Sequence, residues 1–223
     1  MTSGAGCMPA STGWLPRRGL AMRLTRLYAG LVGFGASLAL MIEAGLGLGP
    51  WDVLHQGVAR TTGVPIGWVV IAVGAVVLVA WIPLRQRPGF GTVSNVIVVG
   101  LVVDVALALL PSPGALPVRI AFLAVGIVAN GVATGLYIGA GLGPGPRDGL
   151  MTGLAARGLS LRAARTLIEL SALGFGWVLG GTVGAGTVLY AVAIGPLAQV
   201  FIPMLAMEPA GEPCRHRRGV GGG

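Results

Sequence analysis

The stretch that decides the fold occurs twice: residues 43–63 read EAGLGLGPWDVLHQGVARTTG, and residues 139–158 read GAGLGPGPRDGLMTGLAARG. Each copy follows a long apolar run and places an aspartate two residues after a Gly-Pro pair. Glycine favours the end of a helix, and proline suits the first turn of the next one, because the N–H that it lacks would be unpaired there. Each copy is therefore predicted to end one helix and to begin a short one, over residues 50–62 and 146–157.

The composition is that of a membrane protein. Apolar side chains make up 54% of the 223 residues and charged side chains only 10%, whereas about a quarter of the residues of a soluble domain are charged. All 15 basic residues are arginine and the formal net charge is +8, a balance that nucleic-acid-binding proteins also show. The arginines stand at the ends of apolar segments, where they set membrane orientation. The expected partner is therefore the lipid bilayer, and no nucleic acid is expected.

Six segments of roughly 20 mostly apolar residues are long enough to cross about 30 Å of hydrocarbon. They are approximately residues 24–45, 66–84, 91–110, 118–141, 163–181 and 186–206. The two short helices would each reach only about 21 Å and carry charged side chains, so they are predicted not to cross. The sequence leaves open whether they lie flat at the membrane interface or enter the bundle.

The two ends of the chain are more polar. Residues 1–21 are predicted to be a disordered tail without the apolar core of a signal peptide, and residues 208–223 a disordered basic tail. The two cysteines, Cys7 and Cys214, fall in these tails and provide neither a disulfide framework nor a metal site. The membrane domain is therefore expected to occupy residues 22–207.

Arginine is distributed unevenly over the predicted loops. With six spans, 13 of the 15 arginines fall on one side of the membrane, and only Arg60 and Arg119 fall on the other. Positively charged residues collect on the cytoplasmic side of membrane proteins. Both termini are therefore predicted to be cytoplasmic, and the protein is expected in the inner (plasma) membrane of the cell.

The chain also repeats itself. A shift of 96 residues superposes the Gly, Pro and Asp of the first stretch on those of the second, and a shift of 95 does the same for Gly-Thr-Val at residues 91–93 and 186–188. Each half, residues 24–110 and 118–206, then consists of a span, a short helix and two more spans. Because three is odd, the second half is predicted to be inserted upside down, as in many transporters. The predicted fold is an all-α, polytopic membrane bundle of two inverted repeats.

Four stretches carry a family resemblance: GLGPWDVLHQG (47–57), WIPLRQRPGFGT (81–92), GAGLGPGPRDGLMTGL (139–154) and LGGTVGAGTVLYAVAIGP (179–196). Over roughly residues 22–203 the chain resembles the bacterial YczE-like membrane proteins, which are related to the broader YitT group. The resemblance implies a multi-pass membrane protein. It implies no established biochemical activity, and it carries over no catalytic or binding residues.

Asp52 and Asp148 occupy equivalent positions in the two short helices. One interpretation is structural, with each carboxylate capping the positive end of a helix that lies at the interface. The alternative is that the short helices enter the protein, where broken backbone at membrane depth faces a cavity and often a binding site. Arg147 lies beside Asp148, where the first copy has Trp51, and is expected either to bind an anion or to anchor the helix on the cytoplasmic side.

Three further polar residues fall within the predicted spans, where ionisable groups are costly and usually face the bundle interior. Glu169 follows Arg165 by four positions, which places both on one helix face and predicts an ion pair or a proton- or substrate-binding group. Asp104 and Gln199 are equivalent under the repeat. They indicate either a shared central site or hydrogen bonds between helices.

These features favour a transporter-like permease for an unknown small solute, whose two halves rock about a central site. The alternative is a non-catalytic membrane scaffold or accessory protein for an unknown protein partner, with the basic tail and the arginine-rich residues 147–165 as docking surfaces. No nucleophile and base stand at a spacing useful for catalysis, so no enzyme is predicted. Asp52 and His55 could share a ligand, but no metal site and no cofactor are predicted.

Overall fold

A computed structural model describes residues 17–207, which form eight α-helices and no strand. The helices are α1 (Arg17–Ala44), α2 (Pro50–Thr62), α3 (Ile66–Leu84), α4 (Phe90–Leu109), α5 (Leu116–Gly139), α6 (Pro146–Ala155), α7 (Leu161–Val178) and α8 (Ala185–Leu205). The predicted all-α class is confirmed. Most of both predicted tails, with Cys7 and Cys214, lies outside the described residues, whereas residues 17–21 belong to α1.

Five of the described helices are long and apolar enough to cross a membrane, namely α1, α3, α4, α5 and α8. Helix α7 covers most of the predicted span 163–181 but falls outside this set, because its 18 residues include Arg162, Arg165 and Glu169. The short helices begin at Pro50 and Pro146, as predicted. The chain is thus a multi-pass helical membrane protein, in which length and composition identify five spans where the sequence reasoning predicts six.

Helices α1 and α5 pack against each other in antiparallel directions and supply much of the buried core. Gly30 in the middle of α1 lies against Tyr137 near the end of α5, and Met41 near the end of α1 lies against Gly126 in the first half of α5. A Cβ atom on Gly30 would lie 2.7 Å from the Tyr137 backbone nitrogen, which is too close for any other residue. Helix α4 packs on α1, α8 packs on α5, and α3 packs on α4.

An arginine closes each end of this central pair. Arg119, in the first turn of α5, donates from Nε to the Ala44 carbonyl at 2.7 Å and from Nη2 to the Gly45 carbonyl at 2.9 Å. Arg23 donates from Nη1 to the Ala140 carbonyl at 2.9 Å, at the end of α5. The last carbonyls of a helix lack partners within it and carry partial negative charge, so a guanidinium there satisfies both. Arg23 and Arg119 are separated by the repeat shift of 96 residues.

Each glycine-rich turn is closed by a helix from the other half of the chain. The Gly186 N–H of α8 donates to the Leu46 carbonyl at 2.8 Å, and the Gly91 N–H of α4 donates to the Leu142 carbonyl at 2.9 Å. The approach requires glycine in the turn itself at Gly47, where φ is 115° and a Cβ would lie 2.7 Å from the Gly184 nitrogen. The two halves are therefore joined at the two turns as well as through α1 and α5.

Replacing Arg119 with glutamine is expected to lower the free energy of unfolding by about 1.5–3 kcal/mol, because the substitution removes hydrogen bonds from a charged group and leaves helix-end carbonyls unpaired. Denaturation of the purified protein in detergent micelles measures the change. Arg87→Gln is the matched control, since Arg87 is exposed and closes no helix end. Equal stability of the two variants would contradict the role given to Arg119.

Candidate functional site

Helices α2 and α6 lie within the bundle. The buried residues of α2 are Trp51, Asp52, Val53, His55, Gln56 and Gly57. Helix α2 packs against α7, where a Cβ atom on Gly176 would lie 2.4 Å from the Leu54 nitrogen. Helix α6 packs against α3, with Gly149 under the ring of Trp81, whose Nε1 donates to the Pro146 carbonyl at 2.9 Å. Both short helices are thus packed against longer helices of the protein.

The two equivalent aspartates have different local partners. Asp148 accepts the Gly145 N–H at 3.2 Å on Oδ2, so it caps α6 as predicted, and it is half-buried. Asp52 is only 5% exposed and makes no capping bond to α2. Its Oδ1 lies 3.7 Å from Nδ1 of His55. Capping therefore accounts for Asp148 and leaves the burial of Asp52 unexplained.

Arg147 lies between the two aspartates. Its guanidinium carbon is 5.4 Å from the centre of the Phe34 ring, which is within cation–π distance. Among the described residues no carboxylate comes within 4.0 Å of the Arg147 nitrogens, although it interacts electrostatically with both aspartates and both neighbouring tyrosines. We call this group the central polar cluster; it consists of Asp52, Tyr137, Arg147, Asp148 and Tyr190.

The central polar cluster always contains one cation. Burial lowers the pKa of the Arg147 guanidinium, but Tyr190, Tyr137 and the two carboxylates raise it by more, so the pKa lies above its ordinary value. An arginine is already protonated at all physiological pH values. The positive charge of Arg147 is therefore permanent, and solutes or side chains near it must accommodate that charge.

A chain of buried hydrogen bonds holds one edge of the cluster. The Tyr190 hydroxyl donates to Asn130 Oδ1 at 3.2 Å, Asn130 Nδ2 donates to Ser37 Oγ at 3.0 Å, and Ser37 Oγ donates to the Phe34 carbonyl at 2.7 Å. This chain links α8 through α5 to α1. The other tyrosine, Tyr137, interacts with the Asp148 carboxylate. Both tyrosines are thus positioned by the bundle.

Two cavities flank the central polar cluster, and Trp51, Tyr137 and Arg147 line both of them. The first cavity encloses about 580 Å³, lies mainly in the first half of the chain and includes Asp52. The second encloses about 850 Å³, lies mainly in the second half and includes Asp148. Both volumes include space that is open to the outside of the protein. The two aspartates therefore face separate cavities that share a wall.

The linings of the two cavities correspond under the repeat shift. The equivalent pairs are Phe34/Asn130, Leu38/Thr134, Trp51/Arg147, Asp52/Asp148, His55/Met151, Val70/Arg165, Gly74/Glu169, Asn95/Tyr190, Val96/Ala191 and Val99/Ile194. Position is conserved between the halves but chemistry is not. Phe34, Leu38 and Val70 of the first cavity are equivalent to Asn130, Thr134 and Arg165 of the second, which carry an amide, a hydroxyl and a guanidinium group. The first cavity is consequently mainly apolar, whereas the lining of the second contains more polar side chains.

Glu169 joins the second cavity. Its Oε1 accepts a hydrogen bond from Arg165 Nε at 3.0 Å, which is the predicted pair four residues apart on α7. Both side chains line the second cavity together with Asp148 and Arg147. Four of the six candidate residues from the sequence therefore lie at the cluster or on the adjoining cavity wall.

Asp104 and Gln199 lie elsewhere. Asp104 accepts the Gly67 N–H on Oδ1 at 2.7 Å and so caps the start of α3 from α4. Gln199 is exposed on α8, and neither residue lines either cavity. The structure does not bring them to a shared central site, and for Asp104 it favours the interhelical hydrogen bond.

Sequence reasoning did not find Tyr137 and Tyr190, nor the position of Trp51 between the cavities. Aromatic side chains within apolar segments are usually core residues, so nothing in their type distinguished these three as members of a polar site. One signal existed for Tyr190: it stands two residues after the repeated Gly-Thr-Val, and its equivalent Asn95 is also polar. Both of these residues line a cavity.

Comparison with known proteins places the chain among relatives. A family with the description "Family of unknown function (DUF6198)" matches residues 21–203. An uncharacterized protein of Haemophilus influenzae is 42% identical over 176 residues, which cover 78% of this chain and 81% of the relative. The uncharacterized membrane protein YczE of Bacillus subtilis is 33% identical over 189 residues, which cover 82% and 87% of the two chains. No solved structure matches the chain.

Proposed function

We propose that this chain, which belongs to the DUF6198 family and shows the predicted similarity to YczE, is a permease that moves a small solute across the inner (plasma) membrane. The observation that carries the proposal is the pair of cavities with equivalent linings on either side of one charged wall. A transporter has to expose its solute site to each side of the membrane in turn. Two equivalent half-sites that meet at Trp51, Tyr137 and Arg147 suit that requirement.

The proposed topology has six spans in two inverted halves, with α7 as the sixth. At 1.5 Å per residue its 18 residues reach about 27 Å, and its charged residues lie in its first half, with Arg162 in the first turn. The antiparallel packing of α1 on α5 supports inversion, and so do the reciprocal contacts at the two glycine-rich turns. With the arginine distribution, this topology leaves both termini on the cytoplasmic side.

In the proposed mechanism the two halves rock about the shared wall. The short helices carry the cluster residues Asp52, Arg147 and Asp148, and they rest on glycine contacts, with Gly57 and Gly176 between α2 and α7. Contacts without interlocking side chains permit small shear movements of packed helices. A movement of α2 and α6 past α7 and α3 would open one cavity as it closes the other.

The proposed role is non-catalytic, and its partners are the bilayer and a small solute. The accessory alternative relies on the arginines between residues 147 and 165 as a docking surface. Arg147 lines both cavities, and Arg165, although exposed, is paired with Glu169. Arg157 also donates within the protein, to the Pro83 carbonyl.

Proteoliposomes are expected to take up at least one of five solutes, L-leucine, L-glutamate, choline, glucose or protons, faster than empty liposomes. The double variant Asp52→Asn, Asp148→Asn is expected to reduce that uptake at least tenfold, because both carboxylates that balance Arg147 lose their charge; tenfold corresponds to about 1.4 kcal/mol. Radiolabelled solutes and an entrapped pH-sensitive dye report the rates.

Glu43→Gln serves as the control for this experiment, since Glu43 is also an acid near a helix end but lines neither cavity. It is expected to transport at the rate of the wild type. Absence of flux for all five solutes, or a double variant as active as the wild type, would count against the permease.

A further inference from the structure

The first cavity has an apolar wall suited to a compact hydrocarbon group. One phenylalanine, one leucine and five valines line it, from α1, α3 and α4. Burying a branched aliphatic or aromatic side chain in such surroundings is favourable, because it removes apolar surface from water. The polar side chains of the lining are Asp52 and His55 of α2, Asn95 of α4, Tyr137 of α5 and Arg147 of α6.

Two opposite charges line the same cavity without forming an ion pair. Asp52 and Arg147 both contribute to its wall, yet among the described residues the only cationic or titratable nitrogen within 4.0 Å of the Asp52 carboxylate is His55 Nδ1, at 3.7 Å. A buried charge without a close counter-ion is strongly unfavourable. A molecule that brings one charge of each sign would compensate both groups at once.

Two buried nitrogens in the same wall also lack partners. Trp51 Nε1 and His55 Nδ1 have no hydrogen bond within the described part of the chain, and each side chain belongs to a residue that is only 9% exposed. A buried polar group without a hydrogen bond is unfavourable, because it has lost its bonds to water and gained none in the protein. The indole N–H can only donate, and the imidazole Nδ1 can accept when the ring proton is on Nε2. The lining of the first cavity thus includes one side chain with an unused donor, Trp51, and one with an unused acceptor, His55.

We propose that the first cavity binds a small zwitterion with an apolar body, of the chemical class of the apolar α-amino acids. The solute's ammonium group is held by the Asp52 carboxylate and His55 Nδ1, its carboxylate by the Arg147 guanidinium and the Trp51 indole N–H, and its side chain by the valine-lined wall. The inference rests on the proposed function, for which it names the substrate class.

The second cavity does not offer this combination. Where the first has Phe34, Leu38 and Val70, it has an amide, a hydroxyl and a guanidinium, and its Glu169 is already bonded to Arg165. An apolar side chain there would leave polar groups without hydrogen bonds. The asymmetry between the equivalent cavities therefore assigns the apolar solute to the first and leaves the second as a hydrated path on the other side of the shared wall.

Isothermal titration of the purified full-length protein with L-leucine tests the inference directly. Leucine, valine and phenylalanine are expected to bind. N-acetyl-leucine, which lacks the ammonium charge, leucinamide, which lacks the carboxylate, and glycine, which lacks the apolar side chain, are each expected to bind at least tenfold more weakly. Binding of the analogues as tight as that of leucine, or no binding by any of the three amino acids, would overturn the inference with no variant required.

Trp51→Phe keeps an aromatic ring and removes the N–H donor, so it is expected to weaken leucine binding at least fivefold. Gln199→Ala, on the exposed face of α8, is expected to leave it unchanged. A loss of binding with Thr134→Val but not with Trp51→Phe would place the solute in the second cavity and overturn the assignment. Gel filtration of each variant verifies that it is folded.

Two outcomes separate this inference from the proposed function. If leucine binds with the expected pattern but proteoliposomes take up none of the five solutes, the proposed permease function is wrong and the binding site is retained. If proteoliposomes transport choline or glucose, while leucine neither binds nor inhibits that transport, the permease function is supported and the proposed amino-acid site is wrong.

Discussion

Arg147→Gln is expected to reduce solute uptake by proteoliposomes at least a hundredfold. Arg147 is the one residue of the central polar cluster that is cationic, and it lines both cavities. Without it, the buried Asp52 and the half-buried Asp148 lose the cation that interacts with both of them. Loss of a hydrogen bond to a charged group costs about 1.5–3 kcal/mol, and a hundredfold change corresponds to about 2.8 kcal/mol.

Arg147→Lys distinguishes charge from shape at the same position. Lysine keeps the positive charge but loses the planar group that lies over Phe34 and donates in several directions. We therefore expect partial uptake, between that of the wild type and that of the glutamine variant. Arg162→Gln is the control, because Arg162 is exposed at the start of α7. Uptake by Arg147→Gln within twofold of the wild type would exclude a role for the guanidinium in the solute path.

The features that the sequence predicted well are the local ones. Glycine and proline act within a few residues of themselves, so the starts of α2 and α6 at Pro50 and Pro146 followed directly. The cap that Asp148 forms on Gly145 spans three residues and was also predictable. The ion pair between Arg165 and Glu169 was predictable because residues four apart lie on the same face of a helix.

The composition of the central polar cluster depends on contacts between distant segments and was not predictable in the same way. Tyr137 and Tyr190 reach the two aspartates only because α5 and α8 pack as they do. Helices that are apolar on all sides give no indication of which face is buried, which is why Gln199 was expected inside and is exposed. For Asp104 the sequence named the interhelical bond as one alternative, but its partner, the Gly67 N–H of another helix, could not be identified.

The number of arginines on each side of the predicted spans does not report orientation alone, because some arginines make contacts inside the protein. The positive-inside rule treats every arginine near a span as a loop charge, whereas Arg23 and Arg119 close the ends of α5 and α1, and Arg147 lies within the bundle. In the proposed topology Arg23 and Arg119 lie on opposite sides of the membrane, and each donates to a carbonyl oxygen at the end of a helix. Their positions thus follow from the repeat, and the exposed arginines are those that carry the information on orientation.

Gly176→Ala is expected to have the largest effect on stability of any alanine substitution in α7, lowering the free energy of unfolding by about 3 kcal/mol, the upper end of the usual cost of overpacking. A Cβ atom there would lie 2.4 Å from the Leu54 nitrogen and 2.5 Å from the Val53 carbonyl carbon. Both are backbone atoms, which cannot rotate away, so α2 would have to move as a whole. Denaturation in detergent micelles measures the loss.

Gly174→Ala, on the same helix, provides the control and has the opposite expected sign. Nothing lies within 4 Å of a Cβ atom at Gly174, and alanine favours a helix over glycine by about 1 kcal/mol, so this variant should be slightly more stable than the wild type. Because α2 carries Trp51 and Asp52, Gly176→Ala should also weaken solute binding, while Gly174→Ala should leave it intact. If both variants changed stability in the same direction, the close contact between α2 and α7, and with it the placement of Asp52 inside the bundle, would be wrong.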